Sequence, residues 1–468
     1  MTIEKIKFGT DGWRAIIAQD FTVYNVARVA KGQADWLLKN FSNPSVVVGH
    51  DCRFGGELFT EITARVLCAN GIKVLLAKGF ISTPMISLGV LKLQAQQGVV
   101  ITASHNPPSY NGYKLKGAHG GPSSPKDIAA VEALIPEEVN MPAQSLQYWE
   151  EKGMLQYIKL EDMYVSYLQE KFNFDALSKS PFKIAYDSMF GAGQNVVRRV
   201  LPGAVLLHCD ENPGFHGQAP EPLDKNLQEL SKTIASTPEL KIGLATDGDA
   251  DRIGLFNEAG EFVDAHNIIL LLIHYLHKYK GLTGKVVIAF SVTDRVKKLC
   301  EHYGLPVEVT AIGFKYISEI MINDDVLVGG EESGGIAVKG HIPERDGVYD
   351  GLLIYEFMQA TGKTLKELCE EVYAIVGYFS YDRKDLQIDN DKKNAIIKKA
   401  EGDGYTAFGK YQFNRVEKID GVKYHFTNGG WAMLRASGTE PLLRVYAEGN
   451  SKEETADILN EVMKTILA

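Results

Sequence analysis

The chain has 468 residues, 45% hydrophobic and 23% charged, and its 50 Lys+Arg against 59 Asp+Glu leave a formal net charge of −9. At about 100–200 residues per domain this suggests roughly three or four domains with ample core, and the composition excludes disordered and fibrous classes. The acidic balance, with no block of basic residues, excludes a broad footprint for nucleic acid or an anionic membrane, so any anionic ligand must be held by local positive sites.

In chain order, residues 46–49 predict a strand, 57–70 a helix, 74–77 a strand, 84–93 a helix and 99–102 a third strand. The same βαβαβ order recurs at 183–186, 194–200, 205–208, 227–235 and 242–245, and again at 286–290, 294–302, 307–310, 314–322 and 326–329. Three similar α/β units are therefore expected over the first 370 or so residues. Closely spaced strands at 416–419, 423–427, 432–435 and 443–447, then a helix at 452–467, predict a small C-terminal α+β domain. Turns near Ser180-Pro181, Gly281 and Gly377 suggest joins, and the expected domains are 1–160, 161–282, 283–377 and 378–468.

Five widely spaced cysteines, an odd number without a Cys-x-x-Cys pair, fit thiols in a reducing compartment. The first residues lack a signal-type apolar run, and the greasiest stretch, 268–273, is far too short to span a bilayer, so a cytoplasmic protein is expected.

In each α/β unit the third strand runs into a polar loop dense in small residues, and ligands of open parallel sheets bind beyond the carboxyl ends of strands. The first loop places Ser104 after a buried strand, where it should be well exposed, with His105, Asn106 and, past Asn111-Gly112-Tyr113, Lys114 around it. The same residues also suit a plain turn. In the second loop Asp247, Asp249 and Asp251 alternate with small residues and precede Arg252. Three such carboxylates can converge on a hard divalent cation; an EF-hand is excluded, because Arg252 stands where that loop needs glycine and a strand precedes it. The third loop, Gly329 to Gly335, offers Glu331 and Ser333 to hydroxyl groups such as a sugar's, or is a glycine turn. In the last domain Arg435, Ser437, Gly438, Thr439 and the nearby Arg444 fit an anion nest for phosphate, or an exposed hairpin. Near the N-terminus, the Gly9-to-Arg14 segment is a further arginine source or a tight turn.

Together the loops resemble the α-D-phosphohexomutase superfamily of phosphoglucomutases and phosphomannomutases: Phe8-Gly9-Thr10 with Arg14, Thr102 to Pro107, Asp247 to Arg252, Gly330 to Gly334 and Arg435 to Thr439 occur in that family's order over nearly the whole chain. The resemblance implies an α/β fold of three similar α/β domains with mixed sheets plus a C-terminal α+β domain around a central cleft. It implies reversible transfer of phosphate between C1 and C6 of a hexose through a phosphorylated Ser104 and a hexose 1,6-bisphosphate. Mg2+ would be held by Asp247, Asp249, Asp251 and phospho-Ser104, with Arg14 and Arg252 also in the catalytic set. Lys114, then His105, is the candidate general base, each equally a plain phosphate contact. Glu331, Ser333 and Lys315 would read the sugar, and Arg435, Ser437, Gly438, Thr439 and Arg444 its phosphate. The implied partners are small sugar phosphates, with a monomer or homodimer as the assembly.

The dual glucose/mannose enzymes of the family usually end the sugar loop with histidine, where this chain has Gly335; His341 lies just downstream. Glu331-Glu332 looks more like the glucose/mannose mutases than the glucosamine mutases, which typically carry glutamine second. The implied substrates are glucose phosphates and, with less preference, mannose phosphates; a phosphoglucosamine mutase or phosphopentomutase is the alternative. A metal-dependent sugar phosphatase or a non-catalytic sugar-phosphate-binding protein are rivals that the separate phosphate nest and the complete serine and metal set disfavour.

Overall fold

Valines and isoleucines dominate the predicted strands, and most of those residues are buried on both faces, which is why they read as continuous apolar runs without alternation. Ser45–His50 pairs in parallel with Lys73–Ala77 and with Gln97–Ile101. A computed structural model describes residues 5–9, 11–436 and 442–468. They fall into two compact units, one of Met1–Lys285 with Gly313–Leu368, the other of Val286–Ile312 with Cys369–Ala468.

The first unit holds two mixed sheets. In one the order is Trp13–Ile16, Tyr110–Gly117, Gln97–Ile101, Ser45–His50, Lys73–Ala77 and Leu155–Ile158, the first three antiparallel and the rest parallel. Its helices begin where hydroxyl side chains cap them: Thr22 Oγ1 accepts from the Asn25 N–H before Val23–Asn40, and the Ser82 side chain accepts from the Met85 N–H before Thr83–Lys92. The other sheet runs Phe262–Val263, Ile253–Asn257, Leu240–Thr246, Lys183–Asp187 and Val205–Leu207. The same unit carries the antiparallel hairpin of Val326–Gly330 and Ile336–Val338, and the helix Gly347–Thr361.

In the second unit Val286–Ala289 and Val307–Thr310 pair in parallel. A six-stranded antiparallel sheet runs Ser380–Gln387, Leu442–Gly449, Trp431–Ala436, Val422–Phe426, Tyr411–Glu417 and Ala407–Phe408. Leu434, Val445 and Ala447 of that sheet pack with Ile458 and Val462 of the helix Lys452–Leu467.

Two segments read as loop or turn are strands: Tyr110–Gly117 carries Lys114, and Trp13–Ile16 pairs Arg14 with Gly112. Their polar residues broke the apolar pattern that announces a strand. No disulfide joins the five cysteines, and among the described residues no helix is long and apolar enough to cross a membrane.

Candidate active site

Three strands, Gln97–Ile101, Leu240–Thr246 and Val326–Gly330, end at the serine, aspartate and glutamate loops, all within the first unit. Ser104 is 1% exposed, so the expectation of an exposed hydroxyl is corrected. The aspartate loop lies directly on the serine: a Cβ at Gly248 would stand 2.7 Å from the Ser104 carbonyl oxygen, an approach open only to glycine. Ser104 Oγ donates to Asp247 Oδ2 at 2.7 Å and lies 3.3 Å from His105 Nδ1. Its backbone is left-handed, φ 54°, and its N–H donates to Thr102 Oγ1 at 2.8 Å. Burial, then Arg252, Arg14 and Lys114, push the half-buried His105 well below the ordinary imidazole range, so it is neutral. Arg14 Nη1 donates to Asn106 Oδ1 at 2.7 Å.

The carboxylates of Asp247, Asp249 and Asp251 converge within 4.8 Å of one another, each fully buried. Asp247 Oδ1 shapes the turn by accepting the N–H groups of Asp251 (3.0 Å) and Arg252 (3.1 Å). Burial, then Asp249 and Asp251, raise Asp247 well above the usual carboxylate range. Burial also acts on Asp249, yet Lys114 and a 2.5 Å hydrogen bond from Thr83 hold it below that range. Two oxygens, Asp249 Oδ1 and Asp251 Oδ1, are buried without a hydrogen-bond partner. Such orphaned carboxylate oxygens beside a like-charged neighbour fit a hard divalent cation such as Mg2+.

Lys114 is fully buried, with Nζ 2.7 Å from Asp249 Oδ2 and 3.0 Å from both Asp251 Oδ2 and Asp11 Oδ2. Burial opposes its charge, but the three carboxylates prevail and raise its pKa, so Lys114 is a fixed cation. Arg345 supplies a second: Nη2 lies 2.6 Å from Asp11 Oδ2 and 2.9 Å from Asp251 Oδ2. Sequence reasoning gave neither Arg345 nor Asp11 a role. Arg345 sits in Glu344-Arg345-Asp346, away from any strand-end loop, and its partners are far away in the chain.

Glu331 Oε1 accepts from the Gly313 N–H at 2.9 Å, and burial, opposed by Arg345, pushes its carboxyl up to about 7. Ser333 is half-buried in the same turn. A Cβ at Gly335 would stand 2.5 Å from Arg345 Cδ, so the arginine occupies the space that a longer residue 335 would need. His341 does not join the site: Nε2 meets Asp346 Oδ2 at 2.8 Å, Nδ1 meets Tyr167 Oη at 3.0 Å, and the ring stacks on Tyr349 at 3.8 Å. Lys315, in the first turn of the helix Phe314–Asn323, lies over the Tyr316 ring. Arg252 Nη1 reaches Glu221 Oε1 at 3.5 Å, while its Nε is buried without a hydrogen-bond partner.

In the second unit Arg435 and Arg444 are cross-strand partners, and Arg435 Nε pairs with Asp420 Oδ1 at 3.1 Å. Ser437, Gly438 and Thr439 lie outside the described residues.

A buried serine on a carboxylate triad, with fixed cations beside it, is an arrangement for moving a charged group, and comparison with known proteins agrees. The family described as phosphoglucomutase/phosphomannomutase matches with its alpha/beta/alpha domain I over residues 5–141, domain II over 162–260, domain III over 264–376 and the C-terminal domain over 383–465. The chain is 30% identical to a Methanosphaera stadtmanae protein assigned as a phosphoglucosamine mutase, over 98% of each chain. It is 28% identical to the phosphoglucomutase/phosphomannomutase of Thermococcus kodakarensis, again over 98% of each. The crystal structure of a Thermus thermophilus protein assigned as a phosphomannomutase superimposes with a TM-score of 0.87 at 35% identity, covering 99% of this chain and 100% of that one. Matched in all four domains along nearly its whole length, the chain belongs to the phosphoglucomutase/phosphomannomutase family and is a phosphohexomutase, an intramolecular phosphotransferase of the isomerase class.

Proposed function

We propose that this protein interconverts the 1- and 6-phosphates of glucose and mannose, with phosphate carried on Ser104 and a hexose 1,6-bisphosphate between the two transfers. The observation that carries this reading is Ser104 Oγ, 2.7 Å from Asp247 within a triad whose Asp249 Oδ1 and Asp251 Oδ1 are buried without a hydrogen-bond partner. A sugar hydroxyl oxygen attacks the phosphorus of phospho-Ser104, the P–Oγ bond breaks, and the hydroxyl proton passes to a base. The bisphosphate turns, and Ser104 Oγ takes the other phosphoryl group, releasing the isomer with the proton returned.

Phosphoryl transfer is mainly positioning and charge neutralisation, and the residues divide accordingly. Asp247, Asp249 and Asp251 would hold Mg2+, which when bound supplies charge neutralisation on the phosphoryl oxygens. Lys114 and Arg345 are permanent cations that hold Asp249 and Asp251 in place, and Lys114 keeps Asp249 ionised. His105 is preferred to Lys114 as base, because an uncharged imidazole keeps one ring nitrogen with a free lone pair and an ammonium held by three carboxylates has none, although the burial and cations that keep His105 neutral make it a weak base. Glu331 and Ser333 would accept and donate at the sugar hydroxyls, while Arg435 and Arg444 offer a cationic pair suited to a phosphate group.

The second reading, phosphoglucosamine as substrate, is favoured by the assignment of the Methanosphaera relative. Comparing kcat/KM for the 1-phosphates of glucose, mannose and glucosamine, with Mg2+ and a trace of glucose 1,6-bisphosphate, decides between them. Glucose is expected first, mannose second and glucosamine far behind; a glucosamine value at or above the glucose one overturns the preference. Release of free phosphate instead of an isomer would mark a phosphatase.

A further inference from the structure

Arg53 follows the strand Ser45–His50 by three residues, is 2% exposed and touches none of the carboxylates of the triad. Its two Nη groups are instead spent on the backbone of the serine loop, while Nε lies 3.5 Å from Asp51 Oδ2. Nη2 donates to the carbonyl oxygens of Ser104 (2.5 Å) and Asn106 (2.6 Å), and Nη1 to those of Pro107 (2.9 Å) and Tyr110 (3.2 Å). A planar fork with fixed donor directions can satisfy four carbonyls at once, which an ammonium on a flexible stem cannot. The ring is closed through Asp51: Oδ1 accepts the Arg53 N–H at 2.9 Å, Oδ2 accepts from Thr102 Oγ1 at 2.5 Å, and Thr102 Oγ1 accepts the Ser104 N–H. Both backbone groups of Ser104 are thereby held by one side-chain chain, Arg53–Asp51–Thr102. From the opposite side the ring of Phe215, buried in the neighbouring α/β region, covers the guanidinium at 4.9 Å.

A serine in the left-handed region keeps that conformation only where its surroundings over-determine it. From these contacts we infer that Arg53 is the positioning residue of the transfer reaction: it sets the direction of Ser104 Oγ by clamping the loop carbonyls, and Phe215 keeps water off the clamp. The inference rests on phosphate transfer through Ser104 proposed above. Misplacement of a reacting atom by about 1 Å costs on the order of a hundredfold in rate, so turnover is the quantity that Arg53 controls.

The test compares wild type, Arg53→Lys and Phe215→Leu, each first phosphorylated with glucose 1,6-bisphosphate. The fraction of Ser104 that accepts phosphate is measured by mass spectrometry, and kcat is normalised to that fraction. Arg53→Lys is expected to lose about a hundredfold in normalised kcat with KM changed less than threefold, and to shift or broaden the phosphoserine line in the 31P spectrum. Phe215→Leu, which keeps the guanidinium, is expected to lose three- to tenfold with the same spectral change. A residue that only supports folding would lower the phosphorylatable fraction and leave both normalised kcat and the 31P line as in wild type; that result in Arg53→Lys overturns the inference. Should Arg53→Lys fail to fold, Phe215→Leu decides, and wild-type normalised kcat in it overturns the inference. Wild-type protein that never accepts phosphate on Ser104 overturns the functional reading itself, whereas a phosphorylated wild type with unaffected variants removes Arg53 alone.

Discussion

Replacing Asp247 by asparagine should stabilise the metal-free protein and abolish its response to magnesium. The substitution keeps the local hydrogen bonds, since an amide oxygen can still accept the Asp251 and Arg252 N–H groups and the amide NH2 can face the Ser104 hydroxyl. What changes is one buried charge. Two like charges at the 4.8 Å limit of the cluster repel by about 3.5 kcal/mol at an effective dielectric near 20, and Asp247 has two such neighbours. Lys114 and Arg345 pair with Asp249 and Asp251, and Arg252 lies near Asp247, so most of that repulsion is offset. A net gain of about 1–3 kcal/mol is expected, roughly 1–4 °C in the transition of the unit that holds the site. Because the folded-state pKa of Asp247 is raised, the stability lent by its proton is present in acid and lost as pH rises through that pKa. The gap between variant and wild type should therefore widen with rising pH and close in acid. Thermal melts in EDTA and in excess Mg2+ check both halves: wild type gains by mass action from the ion, the variant does not. An Asp247→Asn protein that melts at or below wild type in EDTA, or that gains equally from Mg2+, refutes the reasoning.

Ser104→Ala should remove mutase turnover by several orders of magnitude at a cost of only about 0.5–1.5 kcal/mol, the worth of the hydrogen bond to Asp247; an active variant, or phosphate found on another residue by peptide mass spectrometry, contradicts the role. On the proposed reading Glu331 accepts sugar hydroxyls most strongly when ionised, so kcat/KM should rise with pH through about 7, and Glu331→Gln should lose that limb along with most of the activity; an unchanged pH profile in the variant counts against it. Gly335→His would place a Cβ 2.5 Å from Arg345 Cδ and force the arginine off Asp11 and Asp251, so a loss of roughly 3–5 kcal/mol is expected in urea unfolding, and a variant as stable as wild type would show that the arginine has somewhere else to go.

The chemistry legible in the sequence was that which sits in one short stretch at the end of one buried strand. Asp247, Asp249 and Asp251 announce themselves because alternation with small residues puts three carboxylates in one turn, and Ser104 and Glu331 because each follows an apolar run. Their counter-charges carry no such mark. Lys114 answers Asp249 across 135 residues and Arg345 answers Asp11 across 334, and no local pattern encodes partners at those separations. The helix Gly347–Thr361 escaped for a related reason: apolar residues are buried all round it, so no stripe of one face appears.

The same limit explains why Ser104 was expected to be exposed. A strand end in isolation does project its next residues into solvent, but here the loop of a second α/β region lies over the first, and Gly248 permits the contact that buries the hydroxyl. Burial changes what the serine can do. In water its oxygen would meet a screened aspartate; under Gly248, away from solvent, it meets Asp247 at 2.7 Å with little screening, in a triad whose other two carboxylates pair with the charges of Lys114 and Arg345. The motif supplies the reacting atoms, and the packing of one loop on another supplies the medium in which those charges are strong enough to matter.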